Sequence, residues 1–350
     1  MKMNKREVAA AVVASLTGIG VATAASAVVA YQKIFPRRER PNYALTPGDY
    51  FYPRVEDRLP REQFTYRAGK SRLAGYYYKA DTGKGLIVIA HGIHAGGDDY
   101  IPLAEAFVRE GYSVLSYDST GTYDSEGDST VGMCQQLIDL ENTIKFVRGG
   151  ELLKADKIFI AGHSWGAYAT ASVLNLRDDI SAAACIAGMN SGPDMIVEKA
   201  KEYVGGLAQL PEPAFSVYQK YLFKHYVEYN AVDGINRRNI PVLIAHGVDD
   251  KTIRFNTQAI IARQPELKNP LVSYHIGRGL QGGHDTVWHS REAIAYGMEI
   301  KSELHLREMK KGSDLSDGER AELYATVDHR LFSAADPTLV ENILTAFEKA

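Results

Sequence analysis

The chain has 350 residues, of which 45% are hydrophobic, 24% charged and 10% aromatic, and this composition excludes disordered, collagenous, coiled-coil and polytopic membrane proteins. The net charge is −3, and residues 41–350 alone carry 33 basic and 41 acidic side chains, which excludes an electrostatic surface for nucleic acid. The two cysteines, Cys134 and Cys185, stand in apolar stretches, where we expect buried free thiols and no disulfide or metal site.

The N-terminal region differs in composition from the rest of the chain. Residues 8–30 form an uncharged stretch of 23 residues after a basic start, and about 20 apolar residues are enough to span a bilayer. This length, together with the basic residues in 33–40, favours an uncleaved membrane anchor. A cleaved signal peptide is the alternative, because residues 25–27 form a small-x-small site. We predict that residues 1–40 are a signal or anchor, and that the following domain is held outside the cytoplasm or secreted.

Residues 41–61 are polar and punctuated by proline, which predicts a linker. From residue 62 onward, short apolar runs alternate with segments of helical periodicity, the pattern of β-α-β units on a mostly parallel sheet. The predicted strands, of which the first two should form a hairpin, are 63–67, 72–79, 86–90, 113–117, 157–161, 182–187, 241–245 and 271–276. The predicted helices between them are 101–110, 133–147, 167–176 and 257–263.

About 50 residues separate the sixth and seventh predicted strands, and apolar residues at helical spacing predict two amphipathic helices there. We interpret residues 189–239 as a helical lid, whose aromatic side chains either pack on the domain or line a pocket. Residues 301–350 are charged and compatible with helix, and we predict a structural extension with an exposed loop at 310–319 and a last helix at 338–349.

The strongest local signal is Gly162-His163-Ser164-Trp165-Gly166, which stands between an apolar run and a helical segment. The glycines permit the sharp turn that projects a serine from the end of a strand, and the N-terminus of the following helix favours negative charge. Ser164 is therefore the candidate nucleophile. A serine hydroxyl needs an imidazole to take its proton and a carboxylate to orient that imidazole.

Candidates for both partners follow later predicted strands. Asp249 and Asp250 come after the strand at 241–245, and His284 comes after the strand at 271–276. The order of the three residue types along the chain is thus serine, aspartate, histidine. We interpret His289, five residues beyond His284, as a histidine on a helix surface and not as the base.

Taken together, these motifs make residues 62–300 resemble an α/β-hydrolase of the serine hydrolase branch. The resemblance implies an α/β-hydrolase fold, with a mostly parallel central sheet, helices on both faces and a helical lid insertion. It implies that Asp250 is the triad acid and His284 the base, while Asp249 remains the alternative acid if the loop shifts by one residue. The pattern is most similar to lysophospholipase-like and monoacylglycerol-lipase-like members and to membrane-anchored bacterial hydrolases.

Two further motifs carry the resemblance. His91-Gly92-Ile93 follows the strand at 86–90, where the family supplies one amide of the oxyanion hole, so the amides of Ile93 and Trp165 are implied to bind the oxyanion. Residues 118–127 resemble a family loop whose role is mostly structural, although the usual arginine of that loop is replaced here by polar residues.

We predict a serine hydrolase that cleaves a neutral, partly apolar carboxylic ester through an acyl-enzyme, because the predicted lid is rich in aromatic residues. Its expected partners are the small-molecule ester and, through the N-terminal segment, a membrane. No metal or organic cofactor is required, since His91 and His94 have no third ligand nearby in the sequence. Two alternatives remain open: a peptidase, amidase or acyltransferase with the same triad, and an anchored, catalytically silent binding protein. The sequence does not indicate the oligomeric state.

Overall fold

The computed structural model describes residues 28, 29, 31–150, 153–204 and 212–350. Within these residues one sheet contains eight strands: β1 (Glu62–Ala68), β2 (Ser71–Tyr78), β3 (Leu86–Ala90), β4 (Ser113–Tyr117), β5 (Ile158–His163), β6 (Ala182–Ile186), β7 (Val242–Gly247) and β8 (Val272–Gly277). All eight correspond to predicted strands, with ends that shift by at most two residues.

The strand order is β1-β2-β4-β3-β5-β6-β7-β8. The predicted hairpin is present, since β1 pairs antiparallel with β2, and β2 pairs antiparallel with β4. All other neighbours pair in parallel. The strands β3, β5, β6 and β7 are buried along their whole length, as expected for parallel strands with helices on both faces. Their carboxyl ends therefore lie along one edge, where a site can be assembled.

The described α-helices are α1 (Ile101–Arg109), α2 (Gln135–Gly149), α3 (Trp165–Ser172), α4 (Gly192–Val204), α5 (Glu212–Phe223), α6 (Ala231–Arg237), α7 (Arg291–Lys311), α8 (Asp317–Tyr324), α9 (His329–Ser333) and α10 (Pro337–Phe347). Apolar side chains of α2, α3 and α6 pack in one core cluster, and those of α1 and α10 pack in a second. Alternate residues of β3 enter the two clusters. The helices therefore cover opposite faces of the sheet.

One predicted α-helix, at 257–263, is wrong. Ala259 is extended and forms an isolated bridge with Met189, and the chain then forms a 3-10 helix at Ile260–Glu266. Pro265 lies inside this segment, and a proline has no N–H group to donate to a helical hydrogen bond. The segment therefore crosses the end of the sheet without forming an α-helix.

The insertion between β6 and β7 is helical, but its second predicted helix is interrupted. The helix α5 ends at Phe223, and Lys224 has a φ of +53° and begins a 3-10 helix, Lys224–Glu228. A short third helix, α6, leads to β7. The role of the insertion as a lid remains a prediction.

The C-terminal extension also departs in part from expectation. The helix α7 continues to Lys311 and α8 begins at Asp317, so the predicted loop at 310–319 is shorter than expected. The last helix, α10, begins with proline at its first position, which suits a helix start. Its residues Leu339, Ile343 and Phe347 are buried against the sheet.

Residues 41–61 are packed on the domain, which corrects the predicted linker. Val55 and Leu59 are buried in the cluster with α1 and α10. The Arg54 guanidinium donates hydrogen bonds to three carbonyl oxygens of the same segment. The buried carboxylate of Asp49 is paired with Arg58. These apolar and ionic contacts hold the segment in place, because a buried charge needs a partner.

The end of the predicted N-terminal region is part of the core as well. Tyr31 and Phe35 are buried in the cluster that contains α2 and α3. Apart from Val28 and Val29, the predicted anchor at residues 8–30 and the alternative cleavage site lie outside the described residues. None of the helices among the described residues has the length and apolar character needed to cross a bilayer.

Candidate active site

Ser164 occupies a sharp turn between β5 and α3. Its φ of 55° and ψ of −115° lie outside the usual regions for a residue with a side chain, and such strain is typical of a nucleophile at a strand-to-helix elbow. A Cβ on Gly162 would meet the backbone of Gly166, and a Cβ on Gly166 would meet the carbonyl group of Ala90. Both glycines are therefore required for β5, β3 and α3 to approach closely enough to hold the turn.

The three predicted triad residues meet at this turn. The distance from Ser164 Oγ to His284 Nε2 is 2.9 Å, and that from His284 Nδ1 to Asp250 Oδ2 is 2.7 Å. Since an ionised carboxylate only accepts, Nδ1 carries the proton and Nε2 accepts the serine O–H. Each residue lies on a different loop, after β5, β7 and β8. This arrangement can transfer the serine proton to the imidazole.

Asp250 is held as an anion. Its Oδ1 accepts backbone N–H groups of Thr252 and Ile253 at 2.8 and 2.9 Å. Burial raises the pKa of this carboxyl, but hydrogen bonds from His246 and His284 outweigh that effect and place the pKa well below its usual value. The carboxylate is thus charged at neutral pH, as required to stabilise a protonated His284.

The geometry selects Asp250 over Asp249. The Asp249 side chain is exposed, and no hydrogen bond joins it to His284 within the described part of the chain. His246 was not recognised from the sequence as a functional residue. Its Nε2 lies 3.1 Å from Asp250 Oδ2 and 2.9 Å from the carbonyl oxygen of Ile253. A spacing of four residues from Asp250 is the only sequence signal for this contact.

The loop after β3 is fixed by the side chain of His91. The backbone N–H of Ser119 donates to His91 Nε2 at 3.0 Å, so the ring proton lies on Nδ1, which donates to the Gly92 carbonyl at 2.8 Å. Burial lowers the pKa of His91 to about 4. His91 is therefore a neutral structural group. The side-chain amide of Gln136 also donates a hydrogen bond to the backbone carbonyl oxygen of His91 at 2.7 Å.

The two amides predicted to form the oxyanion hole are those of Ile93 and Trp165. Neither donates a hydrogen bond to another protein group among the described residues. Both amides can therefore donate hydrogen bonds to an anionic ligand, since amides at a strand end and a helix N-terminus favour negative charge.

The loop at residues 118–127 braces this region, as predicted. Asp118 Oδ1 accepts the Gly97 N–H at 2.8 Å, and Asp118 Oδ2 accepts the Tyr76 hydroxyl at 2.6 Å. Arg40, from the N-terminal segment, pairs with Asp98 and Asp124 at 2.8 Å each. This guanidinium thus supports the loop from outside it, a role that the sequence did not indicate.

Two other histidines need no catalytic role. His289 Nε2 lies 3.2 Å from the Tyr50 hydroxyl, and His289 Nδ1 lies 2.9 Å from the carbonyl oxygen of Asp285. His275 Nδ1 contacts the side-chain amide of Asn342 in α10 at 3.0 Å. His289 therefore does not lie on a helix surface as predicted, because it is an extended residue that follows the 3-10 helix Thr286–Trp288.

One group of possible metal ligands occurs in the described ranges: His163, His284 and Asp285. Both nitrogens of each histidine ring already lie within hydrogen-bond distance of protein groups. Asp285 is largely exposed, with its carboxylate 3.8 Å from His163 Nε2. The proximity of the three residues is therefore explained by hydrogen bonding around the triad.

The base of the helical insertion is buried in the core of the domain. Met195 and Ile196 of α4 pack in the same cluster as Trp165 and Met133. Trp165 Nε1 donates to the carbonyl oxygen of Met133 at 2.6 Å, which fixes the indole next to the nucleophile. The base of the insertion is therefore anchored in the same core cluster as the residue that follows Ser164, and its effect on access to the site remains a prediction.

Comparisons with known proteins show which sequences and folds this chain resembles. The profile of a family described as serine aminopeptidase, S33, matches residues 81–232, which include Ser164 but end before Asp250 and His284. Lysophosphatidylserine lipase ABHD12 from Danio rerio is 25% identical over 195 residues, or 54% of this chain and 50% of that protein. The match thus spans about half the length of this curated relative.

Two solved structures share the fold at low sequence identity. The Pyrococcus furiosus esterase Pf2001 has a TM-score of 0.54 at 18% identity, over 79% of this chain and 98% of that chain. The α/β hydrolase GrgF from Penicillium sp. sh18 has a TM-score of 0.50 at 18% identity, over 65% of this chain and 91% of that chain. The predicted fold class is confirmed.

Proposed function

We propose that the chain is a serine hydrolase of the α/β-hydrolase family that cleaves a neutral, partly apolar carboxylic ester. The observation that carries the proposal is the continuous contact from Ser164 Oγ through the ring of His284 to Asp250, at 2.9 and 2.7 Å. Three residues from separate loops meet in the order needed for nucleophilic catalysis.

In the proposed reaction, Ser164 Oγ attacks the carbonyl carbon while His284 Nε2 takes the hydroxyl proton. The amides of Ile93 and Trp165 bind the oxyanion of the tetrahedral intermediate. The intermediate collapses, the bond to the alcohol oxygen breaks, and His284 returns the proton to that oxygen. A water molecule then attacks the acyl-enzyme by the same steps, which releases the acid and restores Ser164. Asp250 remains ionised throughout.

The preference for an ester with an apolar group rests on the helical insertion. Tyr218, Tyr226 and Tyr229 are partly buried and pack against the cluster that contains Trp165. Aromatic side chains around a few polar groups are typical of sites for small apolar ligands. The lipase and esterase names of the relatives are consistent with this substrate class. The aminopeptidase description of the matching family makes amide cleavage the second candidate.

We test the proposal with p-nitrophenyl esters of increasing acyl length and with a short-chain fluorophosphonate, which labels activated serines. The wild-type chain is compared with Ser164→Ala and with Ser172→Ala. Ser172 is a suitable control because it is also buried, lies one helix length away in α3, and its hydroxyl has no hydrogen-bond partner in the described structure.

We expect turnover and labelling in wild type and in Ser172→Ala, and a loss of about 10³-fold or more in Ser164→Ala. Turnover of amides but not of esters would replace the ester proposal with the peptidase alternative. Absence of both turnover and labelling in wild type would overturn the serine hydrolase proposal and favour a silent binding protein.

We also propose that the domain is exported, either anchored through residues 8–30 or secreted after cleavage. Tyr31 and Phe35 are buried in the core, so cleavage after residue 27 would leave the packed part of the segment intact. Carbonate extraction of membranes and N-terminal sequencing of the full-length expressed chain test this. Retention with an intact N-terminus supports the anchor, and a mature N-terminus at residue 28 supports secretion. Recovery of the intact chain in the soluble cytosolic fraction would contradict both.

A further inference from the structure

A chain of buried hydrogen bonds joins the oxyanion loop to the base, and it passes through two residues that the proposed reaction does not use. The backbone N–H of Gly92 donates to the Tyr100 hydroxyl at 3.0 Å. The same hydroxyl lies 2.8 Å from His163 Nδ1, and His163 Nε2 lies 3.2 Å from the carbonyl oxygen of His284. Gly92 precedes Ile93, and His284 is the proposed base, so both ends of the chain reach the reaction centre.

The direction of every bond in this chain follows from its two ends. The carbonyl oxygen of His284 can only accept, so the proton of a neutral His163 lies on Nε2. His163 Nδ1 must then accept, and the Tyr100 O–H is the donor. The tyrosine oxygen in turn accepts the Gly92 N–H. All polar atoms are therefore satisfied in one arrangement, which is expected of a buried network that fixes a single geometry.

The surroundings favour this neutral arrangement. His163 and Tyr100 are 4% and 3% exposed. Burial, together with the neighbouring His284, lowers the pKa of His163 to about 3. The Trp288 ring stacks on Tyr100, with ring centroids 5.7 Å apart. The two rings thus cannot exchange their protein partners for water without opening the core.

The packing also leaves little freedom at Gly92, where this chain of hydrogen bonds begins. A Cβ on Gly92 would lie 3.0 Å from the Tyr100 hydroxyl and 3.5 Å from both His163 Nδ1 and Ser164 Cβ. The oxyanion loop, the two linking side chains and the nucleophile are therefore in mutual contact. A shift of one of them moves the others, and small displacements at a reaction centre reduce rates strongly.

We infer that Tyr100 and His163 are positioning residues that hold the oxyanion loop and the His284 backbone at a fixed separation for the reaction of Ser164. Neither residue touches the reacting atoms in the proposed mechanism. Their effect is to hold the donors of the oxyanion hole and the base in the same geometry in every catalytic cycle. This inference rests on the proposed serine hydrolase function.

Two substitutions of His163 separate its two hydrogen bonds. In His163→Asn, the side-chain oxygen can replace Nδ1 and accept from Tyr100, but no donor reaches the His284 carbonyl. In His163→Gln, the longer side chain places an N–H near the position of Nε2 and retains that donor. Tyr100→Phe removes the partner of Gly92 and of His163 together. Tyr50→Phe is the control, because Tyr50 is partly buried and its hydroxyl contacts His289, outside this chain of hydrogen bonds.

The readout is the second-order rate of labelling by a short-chain fluorophosphonate, together with kcat and KM for the best ester and the melting temperature of each full-length variant. We expect His163→Asn and Tyr100→Phe to lower the labelling rate and kcat by about 10- to 100-fold with little change in KM. His163→Gln should recover most of the rate lost in His163→Asn. The double variant Tyr100→Phe/His163→Asn should lose less than the product of the single losses, because both residues act through one chain of bonds.

Several outcomes would overturn the inference. Rates equal to wild type in all variants would do so, as would equal losses in His163→Asn and His163→Gln that follow the melting temperature, because packing alone would explain them. A comparable loss in Tyr50→Phe would have the same meaning. If the wild-type chain is not labelled at Ser164, the serine hydrolase proposal itself fails. Normal wild-type labelling with unaffected variants removes only the positioning role.

Discussion

The strand-end loops and the helical insertion are built in different ways. In the loops, Ser164, Asp250 and His91 are at most 5% exposed, and each makes hydrogen bonds to neighbouring loops. On the insertion helix α5, Val217 and Tyr221 are 70% and 78% exposed. The loops hold their side chains through the rigid sheet, whereas the insertion rests on it through a smaller set of aromatic contacts.

We expect from this difference that the loops set the reaction rate and that the insertion selects among substrates. Reaction rates depend on fixed distances, which the paired and buried loops provide. Selection among substrates depends on the shape and polarity of the walls, and segments with fewer buried contacts are the ones that open and adapt. Changes in the loops should therefore alter the rate for every substrate, while changes in the insertion should alter the order of preference among substrates.

The largest effect is expected from Asp250→Asn. The neutral amide cannot stabilise a protonated His284 and favours the wrong tautomer of the ring, so kcat should fall by about 10⁴-fold for every ester. Asp249→Asn provides the matched control, since the exposed neighbour makes no hydrogen bond to His284. Steady-state kinetics over an acyl-length series measure both. Equal losses in the two variants would show that the loop as a whole matters and not the carboxylate of Asp250.

Much of the arrangement of the strand-end loops could be predicted from the sequence. The motif around Ser164 lies between a strand and a helix, and parallel strands bring their carboxyl ends to one edge, so the meeting of Ser164, Asp250 and His284 follows from local patterns. The choice between Asp250 and Asp249 could not be made from such patterns, because a one-residue shift in a loop changes no periodicity. It depends on backbone N–H groups of Thr252 and Ile253, which only the folded loop directs at one carboxylate.

Other contacts could not be predicted from the sequence, because they join residues that are distant along the chain. Arg40 reaches Asp98 and Asp124, and Tyr100 reaches His163, without any local spacing that marks the pair. The packing of residues 41–61 was missed for the same reason, since polar and proline-rich segments resemble linkers until their partners are known. Pro265 gave no warning against a helix at 257–263, because a proline just beyond a helix end is common.

A smaller effect, on the pH dependence of stability, is expected from the buried carboxyl group of Asp139. Burial raises the pKa of Asp139 to about 6, although hydrogen bonds from Thr120 and Gln135 partly oppose this. The folded state then binds its proton more tightly than the unfolded state, so the stabilisation is complete below about pH 4 and is lost as the pH rises through about 6. The shift corresponds to about 3 kcal/mol of unfolding free energy at most.

Asp139→Asn should remove this dependence, because the amide cannot titrate while its oxygen still accepts from the Thr120 backbone. Urea unfolding of both proteins from about pH 4 to 7 measures the difference in slope. We expect the wild-type free energy of unfolding to decrease relative to that of the variant across this range. Parallel curves would mean that Asp139 binds its proton equally in both states.

The smallest effect in this series is expected from Tyr226→Phe, at the contact between the insertion and the body. The Tyr226 hydroxyl donates to Glu141 Oε2 at 2.7 Å, and Lys145 pairs with the same carboxylate at 2.6 Å. Because Lys145 still satisfies Glu141 in the variant, the loss should be about 1 kcal/mol of local stability.

A loosened insertion should change KM and the preferred acyl length by less than about tenfold. The rate of short-chain fluorophosphonate labelling at Ser164 should remain that of wild type, because the contacts of His284 and Asp250 do not involve the insertion. Glu141→Gln, which keeps an acceptor for Tyr226, should resemble wild type in both measurements. If Tyr226→Phe slowed labelling as strongly as His163→Asn, the insertion would be part of the machinery that sets the rate, and the distinction between the two regions would not hold.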